Sequence, residues 1–212
     1  MQVEWYGQSA FRLEADGTTV FIDPFVDFGY PAIEGVSADL LLVTHEHRDH
    51  NAVDAVGGDP VTLRTSTWPR ESPLEGVRWI SSEHDEVAGT QRGPNTIFRF
   101  ELDGVTVCHF GDFGQSELRD EQAAAIGEVD LLILPVGGGP TIDAAQAAQI
   151  AKRLQPRWIV PMHYRTHRID FLEPADAFLE LMPSVHRLDG SAFDTDDLPP
   201  VNGPLVVVPA AP

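Results

Sequence analysis

Cysteine occurs once in this 212-residue chain, at Cys108, so no disulfide can form within it and a thiolate zinc knot is excluded. Any bound metal must therefore rely on histidine, aspartate and glutamate. Lysine also occurs once, at Lys152, beside thirteen arginines, and the excess of acidic residues brings the formal charge to −19. Affinity for a polyanion depends on neutralising phosphates, so nucleic acid is not an expected partner. No apolar run approaches the length of a membrane span. The opening Met1-Gln2-Val3-Glu4-Trp5 lacks the basic start and apolar middle of a signal peptide. The expectation is a cytoplasmic protein with no membrane partner.

Hydrophobic residues make up 42% of the sequence, enough for a substantial core in a domain of this length. Short alternating runs predict strands at Val3 to Tyr6, Phe11 to Glu14 and Thr18 to Ile22, with Asp16-Gly17 as a hairpin turn. Leu40 to Val43 reads as a buried strand, followed by a short helix over Asn51 to Val56. Further strands are predicted at Val61 to Leu63, Arg78 to Ile80, Thr96 to Leu102 and Val105 to His109. The second half alternates helix and strand: Asp120 to Ile126, Leu131 to Pro135, Asp143 to Gln155 with Asp143 as N-cap, then Trp158 to Pro161. A last helix is expected within Pro174 to Met182. The order implies sheets inside and helices outside, in one domain over residues 1–193. Residues 194–212, rich in Asp and Pro, read as a surface tail in which Leu205 to Val208 would at most add an edge strand.

The stretch Val43-Thr44-His45-Glu46-His47-Arg48-Asp49-His50 ends an apolar strand in three histidines and two carboxylates. Gly, Pro, Asn or Asp would end a strand without imidazoles that must be solvated or paired. In an extended chain His45 and His47 project to the same side and can grip one metal, while Glu46 points away. Asp49 and His50 lie past the bend and could address a second ion about 3.5–4 Å from the first. The bland alternative is a solvated polar turn. Other ionisable residues fall at predicted strand ends: Asp23 in "FIDPF", His84 in "SSEHDE", Asp112 in "HFGDFG" and His163 in "VPMHY". Rigid sheets position groups there while loops leave them open.

His45-x-His47-x-Asp49-His50, with the later Asp112 and His163, resembles the metallo-β-lactamase fold superfamily over roughly Met1 to Leu188, its motifs falling in the family's order. "PNTIFRF", "CHFGDFG", "LLILPVGGGPTID" and "VPMHYRT" are most similar to the small hydrolase branch related to ascorbate-6-phosphate lactonase. The resemblance implies an α/β fold, a four-layer αββα sandwich of two mixed β-sheets with helices on the outer faces. It also implies one metal held by His45, His47 and His84, another by Asp49, His50 and His163, and Asp112 bridging the two. Imidazole and carboxylate ligands suit Zn(II), the first expectation, as well as Mn(II) or Fe(II). A hydroxide between the ions would be the nucleophile, oriented by Asp49 as the catalytic residue.

Several assignments have rivals. His109, three residues before Asp112, competes with His84 as a ligand and otherwise orients one or sits in the core. Asp23 either caps a turn before Pro24 or orients a ligand histidine. Tyr164 and Arg165 follow the last ligand and are candidates for meeting substrate, Arg165 through an anionic group. Gly111 gives backbone room beside Asp112. Gly137-Gly138-Gly139 lacks the lysine of a P-loop and reads as a turn. Cys108 is expected as a small buried residue. The leading expectation is a metal-dependent hydrolase of a small-molecule ester, lactone or phosphoester. The alternatives are a phosphodiesterase or nuclease of the same fold and a non-catalytic metal-binding protein. Without an obvious lid insertion, the pocket is either shallow or completed by another subunit of a homo-oligomer.

Overall fold

Inward-facing Val3, Trp5, Phe11, Leu13 and Val20 alternate with less buried neighbours, and this period of two builds an antiparallel meander. The computed structural model describes residues 1–64, 72 and 74–212. The meander is β1 (Gln2–Gly7), β2 (Ala10–Ala15) and β3 (Thr18–Ile22). β4 (Leu40–Val43) is buried along its whole length and lies parallel to β3, with β5 (Val61–Arg64) parallel beyond it. β12 (Ala192–Asp194) closes the other edge against β1. The described strands of this sheet run β12-β1-β2-β3-β4-β5.

The second sheet begins with antiparallel β6 (Arg78–Glu83), β7 (Pro94–Leu102) and β8 (Val105–His109). Parallel β9 (Leu131–Pro135), β10 (Trp158–Met162), β13 (Leu205–Val208) and β11 (Val185–Arg187) continue it. Three helices follow β8 in the chain: α1 (Asp120–Ile126), α2 (Ala144–Leu154) and α3 (Asp176–Glu180). Asp143 caps α2, its Oδ1 accepting from Gln146 N while Gln146 Oε1 accepts from Asp143 N, each at 2.9 Å. Ala147, Ile150 and Ala151 form the helix's small buried face. None of the described helices is long and apolar enough to cross a membrane.

The sandwich of two mixed sheets is the one the sequence implies. Leu40 and Leu42 enter the main core between the sheets, whereas Leu41 and Phe21 point the opposite way. That outer face is covered by a second apolar cluster of Phe25, Tyr30, Ile33, Ile169 and Leu172, carried on loops. The helix expected over Asn51 to Val56 shortens to a 3-10 turn, Val53–Ala55.

The tail expected over residues 194–212 requires correction. β13 lies between β10 and β11, inside the sheet, with Val206 and Val207 fully buried. Asp194 pairs with β1, and its carboxylate accepts from the Met1 amino group at 3.2 Å. Four consecutive apolar residues gain more from burial on both faces than a solvated edge offers. Val206→Asp should therefore abolish cooperative unfolding in a urea titration by burying an unpaired carboxylate; a parent-like midpoint would restore the tail reading.

Candidate metal centre

β3, β4, β6, β8 and β10 all deliver their C-terminal ends to one edge of the sandwich. The β1–β2 turn arrives at the same edge because β2 runs antiparallel to β3. Two of the deliveries use left-handed backbone at non-glycine residues, Asp23 (φ 51°) and His163 (φ 51°). Such conformations persist where surrounding bonds over-determine them. Asp23 N donates to Leu42 O, and its carboxylate accepts from Thr44 N at 2.8 Å and Thr44 Oγ1 at 2.7 Å.

The structure brings together all seven residues that the resemblance implies. His45, His47 and His84 present ligand atoms within 4.8 Å of one another, as do His45, His50 and Asp112. Asp112 Oδ2 lies 3.3 Å from the Nε2 atoms of His50, His84 and His163 and 4.0 Å from that of His45. Asp49 Oδ2 approaches His50 Nε2 at 3.6 Å. All of them except His47 and Asp49 are buried.

Outer partners set the imidazole tautomers. His84 Nδ1 is 3.1 Å from Pro140 O, and His50 Nδ1 is 3.0 Å from Asp23 Oδ2; both partners are acceptors, so each Nδ1 carries a proton. Thr44 Oγ1 already donates to Asp23, which leaves it to accept from His45 Nδ1 at 3.0 Å. Thr141 Oγ1 donates to Gly138 O and stands 3.5 Å from His163 Nδ1 in the same sense. Four Nε2 lone pairs thus face a single carboxylate oxygen. His45 Nε2 and His50 Nε2 are buried and make no hydrogen bond. Such a convergence of lone pairs is repulsive unless protons or cations stand among them, and its nitrogen and oxygen donors fit a divalent transition metal.

Electrostatics in the metal-free protein agree with this. Burial, then neighbouring His50, pushes the His45 pKa far down; burial and His84 lower that of His47, so both imidazoles are neutral at pH 7. Burial disfavours charged His50, but the carboxylates of Asp112 and Asp23 outweigh it and raise its pKa well above the usual 6.5. Burial likewise opposes ionised Asp112, but His163 and His50 prevail and hold its carboxyl far below the ordinary range. For Asp49 the burial cost is overcome by His50, whose Nε2 lies 3.6 Å from its carboxylate and keeps it ionised.

His109 stands outside this convergence. Its Nε2 donates to Ser9 O at 3.0 Å and its Nδ1 accepts from Gly111 N at 3.1 Å. Burial lowers its pKa and keeps the ring neutral. Tyr164, expected near substrate, is instead buried against Trp5, with ring centroids 5.4 Å apart. Tyr164 belongs to the main core rather than to the site. Arg165 is exposed and donates from Nε to Leu172 O at 2.6 Å, bracing its own loop. Cys108 is fully buried, and burial raises its thiol pKa.

Sequence reasoning passed over Ser9, Thr44, Asp85, Asn95 and Thr141. Asp85 accepts from the backbone N–H groups of Val87, Gly89, Gln91 and Arg92 at 2.8–3.0 Å, winding the loop after His84 around one carboxylate. This loop and Gly139–Thr141 wall a cavity of about 370 Å³ beside His84. A groove of about 540 Å³ between α2 and Leu181–Pro183 contains none of the site residues.

A fold of two mixed sheets with a histidine and carboxylate cluster at one strand-end edge defines a metal-binding class of protein. Residues 2–163 match the model of the β-lactamase superfamily domain. A metal-dependent hydrolase of Thermococcus kodakarensis is 31% identical over 201 residues, covering 78% of this chain and 85% of the relative. One from Nitratidesulfovibrio vulgaris is 32% identical over 194 residues, covering 78% and 80%. A solved structure from Thermotoga maritima, assigned as a Zn-dependent hydrolase of the metallo-β-lactamase superfamily, superposes with a TM-score of 0.77 at 32% identity over 98% of both chains. The chain belongs to the metallo-β-lactamase superfamily, and it is a metal-dependent hydrolase.

Two predictions follow from this geometry. A Cβ at Gly111 (φ 56°) would stand 2.4 Å from Asn95 Oδ1 and 2.7 Å from Thr44 Cβ. Gly111→Ala should therefore cost about 1–3 kcal/mol in urea unfolding, whereas a parent-like midpoint would contradict the close packing. Because the His50 pKa is raised, its stabilising proton is present below the free-imidazole value and is lost as pH climbs through the raised one. An ion taking Nε2 must expel that proton, so affinity should rise with pH. Calorimetric titration in buffers of different ionisation enthalpy should show proton release at pH 7; zero release would contradict the shift.

Proposed function

We propose that the chain hydrolyses a small ester, lactone or phosphoester at a centre of two divalent ions. His45, His47 and His84 would hold one ion, Asp49, His50 and His163 the other, and Asp112 would be shared. The observation that carries this reading is the convergence of the Nε2 atoms of His50, His84 and His163 at 3.3 Å from Asp112 Oδ2, a point common to both triads. Zn(II) fits this donor set, as do Mn(II) and Fe(II). Such ions supply Lewis acidity to the scissile carbonyl or phosphoryl oxygen and bring the pKa of water from about 15.7 towards 7.

The chain's own residues supply position and proton transfer. Asp49 is ionised, and its side chain is 18% exposed, so its carboxylate is open to both protein and substrate. It can accept the proton of the attacking water and return it to the leaving oxygen as the scissile bond breaks. His45, His50, His84 and His163 are kept in their inward tautomers by Thr44, Asp23, Pro140 and Thr141, which limits reorganisation during reaction. The cavity beside His84 is of a size for a small molecule, and the net charge of −19 opposes a nucleic-acid strand.

Protein purified without chelator or nickel resin should turn over members of a panel of chromogenic esters, lactones and phosphoesters. Chelation should abolish turnover and added Zn(II) or Mn(II) should restore it, with Asp49→Asn losing about 100-fold or more while retaining the fold. Turnover that survives complete removal of metal would contradict the proposal.

A further inference from the structure

The N-terminal hairpin turn reaches the heart of the site from more than a hundred residues away. Ser9 is fully buried, and its hydroxyl donates to Asp112 Oδ1 at 3.0 Å. We propose that Ser9 is a positioning residue that reserves Asp112 Oδ1 and so commits Oδ2 alone to be shared between the two ions. The proposal rests on the two-ion reading above.

A carboxylate between two cations has more than one way to bind. It can offer one oxygen to each ion, both oxygens to one ion, or one oxygen to both. Asp112 is 4% exposed, so water does not compete for its lone pairs. A hydrogen bond to an ionised oxygen is charge-assisted, and it takes up one of that oxygen's two lone pairs. With Oδ1 taken by Ser9, the oxygen left facing the imidazoles is Oδ2, the atom at 3.3 Å from His50, His84 and His163.

The turn itself is held in place. Ser9 O accepts from His109 Nε2 at 3.0 Å, and His109 Nδ1 accepts from Gly111 N at 3.1 Å, next to Asp112. The His109 ring stands edge-on to Phe11, with centroids 5.8 Å apart. Gln8 O accepts from Trp5 Nε1 at 3.0 Å and from His163 N at 3.4 Å. From the other side, Asp112 N donates to Asn95 Oδ1 at 3.0 Å, while Asn95 Nδ2 holds Phe110 O and Ser82 Oγ at 2.8 Å each. Neither the turn that carries Ser9 nor the backbone of Asp112 can drift without breaking several buried bonds. His109, weighed as a ligand in the sequence, thereby acts on the centre through Ser9.

Metal-free parent, Ser9→Ala and Ser9→Thr proteins, each reloaded with Co(II), would test this. Stepwise affinities come from competition with a chelator, and the visible d–d spectrum reports the coordination of each ion. Ser9→Ala should bind at least one ion about 10–100-fold more weakly, with an altered spectrum, and Ser9→Thr should restore both. Two Co(II) ions bound by Ser9→Ala with parental affinity and spectrum would overturn the proposal, whatever happens to its melting temperature. Should Ser9→Ala not fold, Ser9→Cys replaces it: the weaker thiol donor should give intermediate affinity, and parity with the parent would overturn the proposal. A parent that takes up one ion only would overturn the two-ion reading and the shared oxygen with it.

Discussion

Asp112 Oδ2 is the point on which the rest of this structure depends. Four imidazoles turn Nε2 towards it because Thr44, Asp23, Pro140 and Thr141 occupy their Nδ1 atoms. Without positive charge between them, a carboxylate and several lone pairs at such distances would drive one another apart. The metal-free protein answers with a proton on His50; a divalent transition metal answers the same demand with two charges and directional bonds. The site is thus built around a cation before any substrate is considered.

Holding that convergence explains features of the fold that packing alone does not. Left-handed Asp23 and His163 each carry strain of about 1–3 kcal/mol, offset by bonds to neighbouring strands. Gly111 leaves the space that Asn95 and Thr44 fill, and Gly137 is pressed against the His163 carbonyl, where a Cβ would stand at 2.2 Å. These are places where a sheet edge has been shaped for the residues it presents. The two apolar layers behind it supply the rigidity, and β13 contributes from within the second sheet.

Much of this was legible in the sequence. The cluster from His45 to His50 could be read locally because imidazoles are costly where a turn would serve. Asp23, His84, Asp112 and His163 became legible only through the order of family motifs, since each alone is an ordinary strand-end residue. Ser9, Thr44, Asn95 and Thr141 were not legible, because their roles arise from tertiary partners far away in the chain. Residues 205–208 were misjudged for another reason: five prolines after Asp194 coloured the whole segment, although Leu205 to Val208 has the same form as Leu40 to Val43. Tyr164 was misplaced by sequence adjacency to His163, which says nothing about the side a residue faces.

Anomalous diffraction from crystals of protein purified without chelator, recorded on both sides of the edge of the bound metal, tests the central claim most directly. The account predicts two anomalous peaks, one against His45, His47 and His84 and the other against Asp49, His50 and His163, with Asp112 Oδ2 in contact with both. A single peak, or peaks that leave Asp112 uncoordinated, would contradict it.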